Sequence, residues 1–230
     1  MGYTKHFDLR MEEVDPEKRL RLPNLLLMAQ QMAVAHVEAM DLGHDKTLDR
    51  GFLWVVARQH YVIRELPCYA DEIDFETHPG ETMAFVYPRH YALSRGGKTL
   101  IKGIALWSLI SMKDRKPLFP KATGIHILGE KQEGDLPFPM MPKAPELDHV
   151  VDLEAKWSLC DLNGHINNVR YVDFCMDLIP LDFLKKKPVK ELWIDYKKEI
   201  KLGESVQLHY GYVDEAYWFL CEQFELVLCF

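Results

Sequence analysis

Residues 20 to 40 read LRLPNLLLMAQQMAVAHVEAM. Pro23 stands where a helix has its first turn and a missing N–H costs little, and Leu26, Ala29, Ala33, Val37 and Met40 recur at spacings of three and four. The stretch predicts one long helix with an apolar stripe, and Gly43 in the following DLGHDKTLDRG ends it. The period then changes. FLWVVARQHYVIREL is rich in β-branched and aromatic residues and reads as a strand, as does DEIDFETHP. ETMAFVYPRHYALS and KTLIKGIALWSLISM flank Arg95-Gly96-Gly97, a hairpin signal. One helix against an antiparallel sheet is the layered way to bury both.

Residues 129 to 148, GEKQEGDLPFPMMPKAPELD, carry four prolines and no period, and read as a linker crossing the surface. After it the plan recurs. DHVVDLEAKWS is strand-like, and NNVRYVDFCMDLI puts Val169, Val172, Met176 and Ile179 on one helical face. LDFLKKKP reads as a polar connection, VKELWIDYKKEI and ESVQLHYGYV as strands, and AYWFLCEQFELVLCF as one buried closing strand. The economical reading is α+β with two structural copies: residues 1–130, a linker at 131–148, and residues 149–230.

Composition bounds the function. A chain of 230 residues with 48% hydrophobic content folds, and a formal charge of -7 with a pI near 5.8 argues against a nucleic-acid partner, which needs a basic face. The five cysteines are scattered without a CxxC pair, so the reading is reduced thiols in a cytoplasmic protein, with no disulfide framework and no metal. Asp8, Glu12 and Glu13 precede any apolar run, which fits neither a secretory signal nor an acid-poor transit peptide. The mature chain is therefore expected to start at or near Met1. No stretch approaches the ~20 apolar residues of a membrane span.

The densest polar segment is DLNGHINN, residues 161 to 168. Capping of the following helix explains one or two of these residues. It does not explain Asp161, Asn163, His165 and Asn167 at alternate positions, which an extended lead-in would point to one side. A calcium loop fails at His165, Ile166 and Val172, where it needs an acid, a glycine and a glutamate. No HExxH or GxSxG occurs.

The run WSLCDLNGHINNVRYVDF resembles the active-site segment of the acyl-acyl carrier protein thioesterases, whose W-S-D-x-D-x-N-x-H-x-N-N-x-x-Y pattern is met by Trp157, Ser158, Asp161, Asn163, His165, Asn167, Asn168 and Tyr171. Leu159 departs from it, standing where many relatives carry an acid. The resemblance extends over nearly the whole chain, including FLWVVARQHYVIRELPCYADEIDFETHP and DYKKEIKLGESV. It implies two tandem hotdog domains, hydrolysis of fatty acyl thioesters of acyl carrier protein, release of free fatty acid to end fatty acid synthesis, and no cofactor. It also implies a catalytic glutamate in the strand after the second helix, whose counterpart is Glu199. Without the resemblance Glu199 reads as an exposed acid beside Lys197 and Lys198. Some relatives carry a cysteine after this glutamate; here the position is Ile200, so a cysteine mechanism there is closed.

On this reading Glu199 and His165 activate water, Asn163 holds water or substrate, and Asp161 fixes the geometry or attacks the carbonyl itself. Backbone N–H groups at Asn167, Asn168 and Val169 would hold the carbonyl oxygen. Aligning Pro23 with Val169 sets Asp15, Glu17 and Arg19 against Asp161, Asn163 and His165, so the first copy lacks the amide and imidazole and is expected to bind the acyl chain, with Met28 and Met32 lining its tunnel. Lys185, Lys186, Lys187 and Lys190, with Arg170, Lys197, Lys198 and Lys201 close in sequence, are candidates to dock the acidic carrier. Acyl-CoA hydrolysis and a silent acyl-binding hotdog protein are the rival readings, and a double-hotdog chain can pair again as a homodimer.

Overall fold

The stripe in residues 20 to 40 folds as an 18-residue helix, Leu22–Ala39, with Pro23 in its first turn. The structure, a computed structural model, describes residues 2–230, apart from the side chains of His44 and Asp45. The expected chain start at Met1 lies outside the described residues. In chain order the elements are β1 (Tyr3–Asp8), α1 (Leu22–Ala39), α2 (His44–Leu48), β2 (Phe52–Ile63), β3 (Glu72–Pro79), β4 (Val86–Arg95), β5 (Lys98–Ser111) and α3 (Pro120–Thr123). There follow β6 (His149–Glu154), α4 (Arg170–Asp177), α5 (Leu181–Lys186), β7 (Glu191–Tyr196), β8 (Ser205–Val213), β9 (Ala216–Leu220) and β10 (Phe224–Cys229).

All ten strands join one antiparallel sheet in the order β1-β3-β4-β5-β2-β7-β10-β9-β8-β6. Read from the two ends inward, β6-β8-β9-β10-β7 repeats β1-β3-β4-β5-β2 position for position, which is the duplication seen as topology. The halves meet where β2 pairs β7, with Arg58 opposite Asp195. Arg58 Nε and Nη2 each donate at 3.0 Å to the Asp195 carboxylate, a two-pronged pair that fixes register as well as charge. One large core runs through both halves, with Leu25, Met28 and Met32 in the same cluster as Val172, Leu192 and Phe224. No helix is long and apolar enough to cross a membrane among the described residues.

Gly96 and Gly97 both take positive φ, 56° and 80°, and close the β4–β5 hairpin as a two-residue turn whose twist matches the strands. Gly103 on β5 is fixed by packing: a Cβ there would lie 2.3 Å from the Tyr61 ring, which is fully buried.

Several expectations need correction. The second helix is eight residues long, because Pro180 has no N–H to continue it. LDFLKKKP, expected as a connection, is helix α5; its Phe183 packs edge-on against Tyr212, Tyr217 and Phe230, and Lys185 and Lys186 lie in its last turn, where cations suit the dipole. The closing strand is a hairpin, β9 and β10, broken at Glu222-Gln223. Strand β1 was not anticipated, since its exposed edge carries little apolar alternation. The linker is a strap pinned to the sheet, as Asp135 accepts from His78 (3.0 Å) and Pro139 O from Arg58 (3.0 Å).

Candidate active site

The segment before α4 is a tight loop; it is not the extended lead-in that alternate spacing suggested. Asp161 N–H donates to His165 O (3.0 Å), Gly164 N–H to Asp161 O (3.0 Å), and Asn163 N–H to the Asp161 side chain (2.8 Å). Gly164 turns the chain with φ +73°, and a bridge between Cys160 and Ile166 closes the loop. Asp161, by this side-chain bond, shapes the turn that presents His165.

The turn is tied to the segment after β7. Ile166 N–H donates to Ile200 O (2.9 Å), Leu202 N–H to Gly164 O (2.9 Å), and His165 bridges Lys201. This stitching carries Glu199, which lies in the loop just past β7 and not in a strand, to the imidazole: Glu199 Oε2 is 3.3 Å from His165 Nε2. The other carboxylate oxygen accepts from Arg115 Nη2, a residue of the turn after β5 in the first half. Burial, and then the positive charge of Arg115, lower the His165 pKa, which favours the neutral imidazole at pH 7.

Of the three N–H groups expected to hold an oxyanion, two are engaged. Asn167 N–H donates to Leu159 O (2.9 Å) and Val169 N–H to Asn167 Oδ1 (3.2 Å). Asn168 N–H has no partner among the described residues. Its own carbonyl accepts from Tyr196 Oη (3.0 Å), which in turn accepts from Gln59 Nε2 (3.3 Å), and Gln59 Oε1 accepts from Tyr61 Oη (3.0 Å). A chain of hydrogen bonds thus runs from the core of the first half to the start of α4. Burial raises the Tyr196 pKa, so the hydroxyl keeps its proton and can donate.

A cavity of about 970 Å³ opens beside this constellation and reaches into the first half. Asp161, Asn163, His165, Asn167, Asn168 and Glu199 border it at one side, and α1 contributes Gln30, Ala33, Val34 and Val37. Met28 and Met32 do not line it: they are 3% and 1% exposed and belong to the core, because they point to a different face of α1 from the stripe at 30, 33, 34 and 37. Lys190 is also displaced. Lys190 precedes β7 and Glu199 follows it, so the length of that six-residue strand, about 20 Å, separates them. Lys198 and Lys201 flank Glu199 instead.

The first-half counterpart lies where the alignment on Pro23 set it. Asp15 N–H donates to Arg19 O (2.7 Å), Lys18 N–H to Asp15 O (2.8 Å), and Leu20 N–H to Pro67 O (2.8 Å), bond for bond the pattern of Asp161, Gly164 and Ile166. In place of the imidazole, Arg19 pairs with Asp15 (2.9 Å) and donates to Leu184 O (3.1 Å) on α5. Arg115 and the Tyr61–Gln59–Tyr196 chain are the functional candidates that sequence reading missed. Arg115 sits in a basic turn like many others, and nothing local marks it.

Comparisons with known proteins bear on the family and the fold. The family model for the acyl-ACP thioesterase N-terminal domain matches residues 1–119, and that for the C-terminal domain residues 143–223. The crystal structure of an acyl-ACP thioesterase from Bacteroides thetaiotaomicron superimposes with a TM-score of 0.86 at 20% identity, covering 99% of this chain and 97% of that one. The 12:0-ACP thioesterase from Umbellularia californica gives 0.83 at 16% identity, covering 99% and 96%. These likenesses show the tandem hotdog fold. The chloroplastic palmitoyl-acyl carrier protein thioesterase of Cuphea hookeriana is 22% identical over 216 residues, covering 86% of this chain and 51% of that protein. The chain spans about half the length of the curated relatives it matches.

Proposed function

Because the chain belongs to the acyl-ACP thioesterase family, we propose that it hydrolyses the thioester of fatty acyl-acyl carrier protein, releasing the free fatty acid and ending its synthesis. The observation that carries the reading is the meeting of His165 and Glu199, 3.3 Å apart and drawn from separate segments, at the side of a cavity that reaches into the other half of the molecule.

The acyl chain enters the cavity along Ala33, Val34 and Val37, with Met28 and Met32 in the core behind that wall. Its carbonyl oxygen points to Asn168 N–H, the unengaged donor at the start of α4. Neutral His165, with Nε2 against Glu199, takes a proton from water at Nδ1, while Asn163 holds that water by its amide. The water oxygen bonds to the carbonyl carbon, and charge builds on the oxygen held by Asn168. Collapse of this intermediate breaks the C–S bond, and His165 returns the proton to the departing sulfur. A thiol with a pKa near 8.5 leaves readily, so a neutral imidazole suffices as its acid. Asp161 acts through the turn, since its carboxylate already accepts from Asn163 N–H.

The carrier protein is the proposed partner, and Lys198 and Lys201, which flank Glu199, are the basic groups taken to meet it; Lys190, the length of β7 away, contributes steering at most, and Lys185, Lys186 and Lys187 at the end of α5 are the rival patch. A second copy of the chain is the other partner to test, by analytical ultracentrifugation. All five cysteines are unpaired, which fits the reducing cytoplasm as its place of action.

The experiment is fatty-acid release from carrier-protein thioesters of increasing chain length, with matched acyl-CoAs and Asp161→Ala. Release from carrier substrates that is lost in the variant supports the reading. Faster release from acyl-CoA moves the substrate to coenzyme A, and binding without release makes the protein a silent acyl binder.

A further inference from the structure

Glu199 is reached from both halves of the molecule. His165 Nε2 meets one carboxylate oxygen and Arg115 Nη2 the other. The turn that carries Arg115 is held at several points. Arg115 N–H donates to Ser111 O (2.9 Å), Ser111 N–H to Lys116 O (2.9 Å), and Ile110 bridges Pro117. Ser111 Oγ accepts from the N–H groups of Lys113 (3.3 Å) and Asp114 (3.4 Å), and Arg115 itself takes φ +59°. Arg115 and Pro117 both border the cavity. Asp114 is the preceding residue in the chain, yet the guanidinium pairs with Glu199 across the two halves.

The charges facing His165 explain what this contact does. Asp161 on its own turn and Glu204 beyond the Glu199 loop favour the imidazolium, and Glu199 lies in contact with it. Against these three acids stand Lys201, bridged to His165 through the backbone, and Arg115. With Arg115 absent, the carboxylates of Asp161, Glu204 and Glu199 would face the ring with one lysine to offset them. An imidazolium cannot accept a proton from water.

We propose that Arg115 is a positioning residue for the thioester hydrolysis: by pairing with Glu199 it offsets the carboxylate charge beside His165 and leaves the imidazole free to deprotonate water. The inference rests on the hydrolytic reading above. It makes the reactive centre a composite of the two hotdog units, with one charge supplied by the unit that has no imidazole. Arg115 acts through Glu199 and His165 and touches no reacting atom. As an ion pair with side chains 41% and 42% exposed, it adds little to folding.

Two readouts test it on the full chain with Arg115→Ala and Arg115→Lys. The first is the His165 imidazole titration followed by NMR in the free protein, which needs no substrate. The midpoint rises in Arg115→Ala and stays near wild type in Arg115→Lys. The second is kcat and KM against pH with dodecanoyl-acyl carrier protein. In Arg115→Ala the acid limb of kcat moves to higher pH, with a loss of about tenfold at pH 6 that shrinks to about threefold or less at pH 9, and KM is unchanged. Melting temperatures within about 2 °C of wild type show that folding is intact. An unchanged His165 midpoint in Arg115→Ala overturns the proposal, as does a loss equal at every pH or confined to KM. A wild-type protein that titrates as described but releases no fatty acid overturns the hydrolytic reading and leaves the electrostatic role of Arg115 standing.

Discussion

Tyr196→Phe removes one oxygen from the hydrogen-bond chain that joins the two halves. That oxygen donates to Asn168 O at 3.0 Å and accepts from Gln59 Nε2 at 3.3 Å. The two partners are left in different surroundings. Asn168 borders the cavity, so water can replace the lost donor there. Gln59 is 6% exposed, and its amide N–H stays unpaired, a penalty of about 1 to 3 kcal/mol. Adding about 1 kcal/mol for the bond to Asn168 gives roughly 2 to 4 kcal/mol in all. For a chain of this size that lowers the melting temperature by roughly 5 to 15 °C. The Asn168 carbonyl also sets the direction of the neighbouring peptide, so kcat should fall by about tenfold, less than the loss on deleting an oxyanion donor outright. The assay is a circular-dichroism melt paired with carrier-thioester hydrolysis. Adding Gln59→Met and Tyr61→Phe deletes the stranded polar groups and should cost less than the single changes summed. A Tyr196→Phe protein that melts within 1 °C of wild type and keeps its kcat would refute the reasoning.

Gly103→Ala drives a Cβ into the Tyr61 ring and should destabilise by about 1 to 3 kcal/mol in urea unfolding, with Tyr61→Val restoring part of the loss. His36 is 5% exposed, and its pKa is held down to about 4 by burial and then by Arg89. The folded state therefore binds fewer protons than the unfolded chain between pH 6.5 and 4, so stability is lost as pH falls through that window, by about 2 kcal/mol at pH 5; melts of His36→Gln should show a correspondingly weaker acid sensitivity. Charge reversal at Lys198 and Lys201 should raise KM for carrier thioesters several-fold in low salt, whereas reversal at Lys185 to Lys187 should change it by less than about twofold; the opposite ranking sinks the docking assignment.

What the sequence disclosed follows from how strongly each feature writes itself locally. Helix α1 was legible because eighteen residues carry a sustained apolar pattern with a proline at the start. The duplication was legible because period changes recur in the same order, and the alignment of Pro23 with Val169 holds down to single hydrogen bonds. Helix α5 was hidden by its lysines, whose charge masked Phe183 and Leu184 beneath. The lead-in to α4 was misjudged because an aspartate side chain bonded two residues on and a left-handed glycine turn the chain where alternation alone implies a strand. Asp161, Asn163 and His165 announced themselves by composition. Glu199 depended on the resemblance, and Arg115 on a pairing across 84 residues that no local pattern can encode.

The Asp15–Arg19 pair gives the duplicated frame a direction. A chain of two matching halves could in principle offer two reaction centres, one in each half, related by its pseudo-twofold axis. Here the vacant end has taken on a mechanical duty: Arg19 reaches the Leu184 carbonyl and fastens the first half to α5 of the second. Symmetry was kept in the backbone and spent differently in the side chains, one half carrying the proposed reaction centre and the other a fastening. Grafting an asparagine and a histidine onto positions 17 and 19 would therefore not simply double the enzyme. The histidine would release that fastening, because an imidazole has no guanidinium N–H to reach the Leu184 carbonyl.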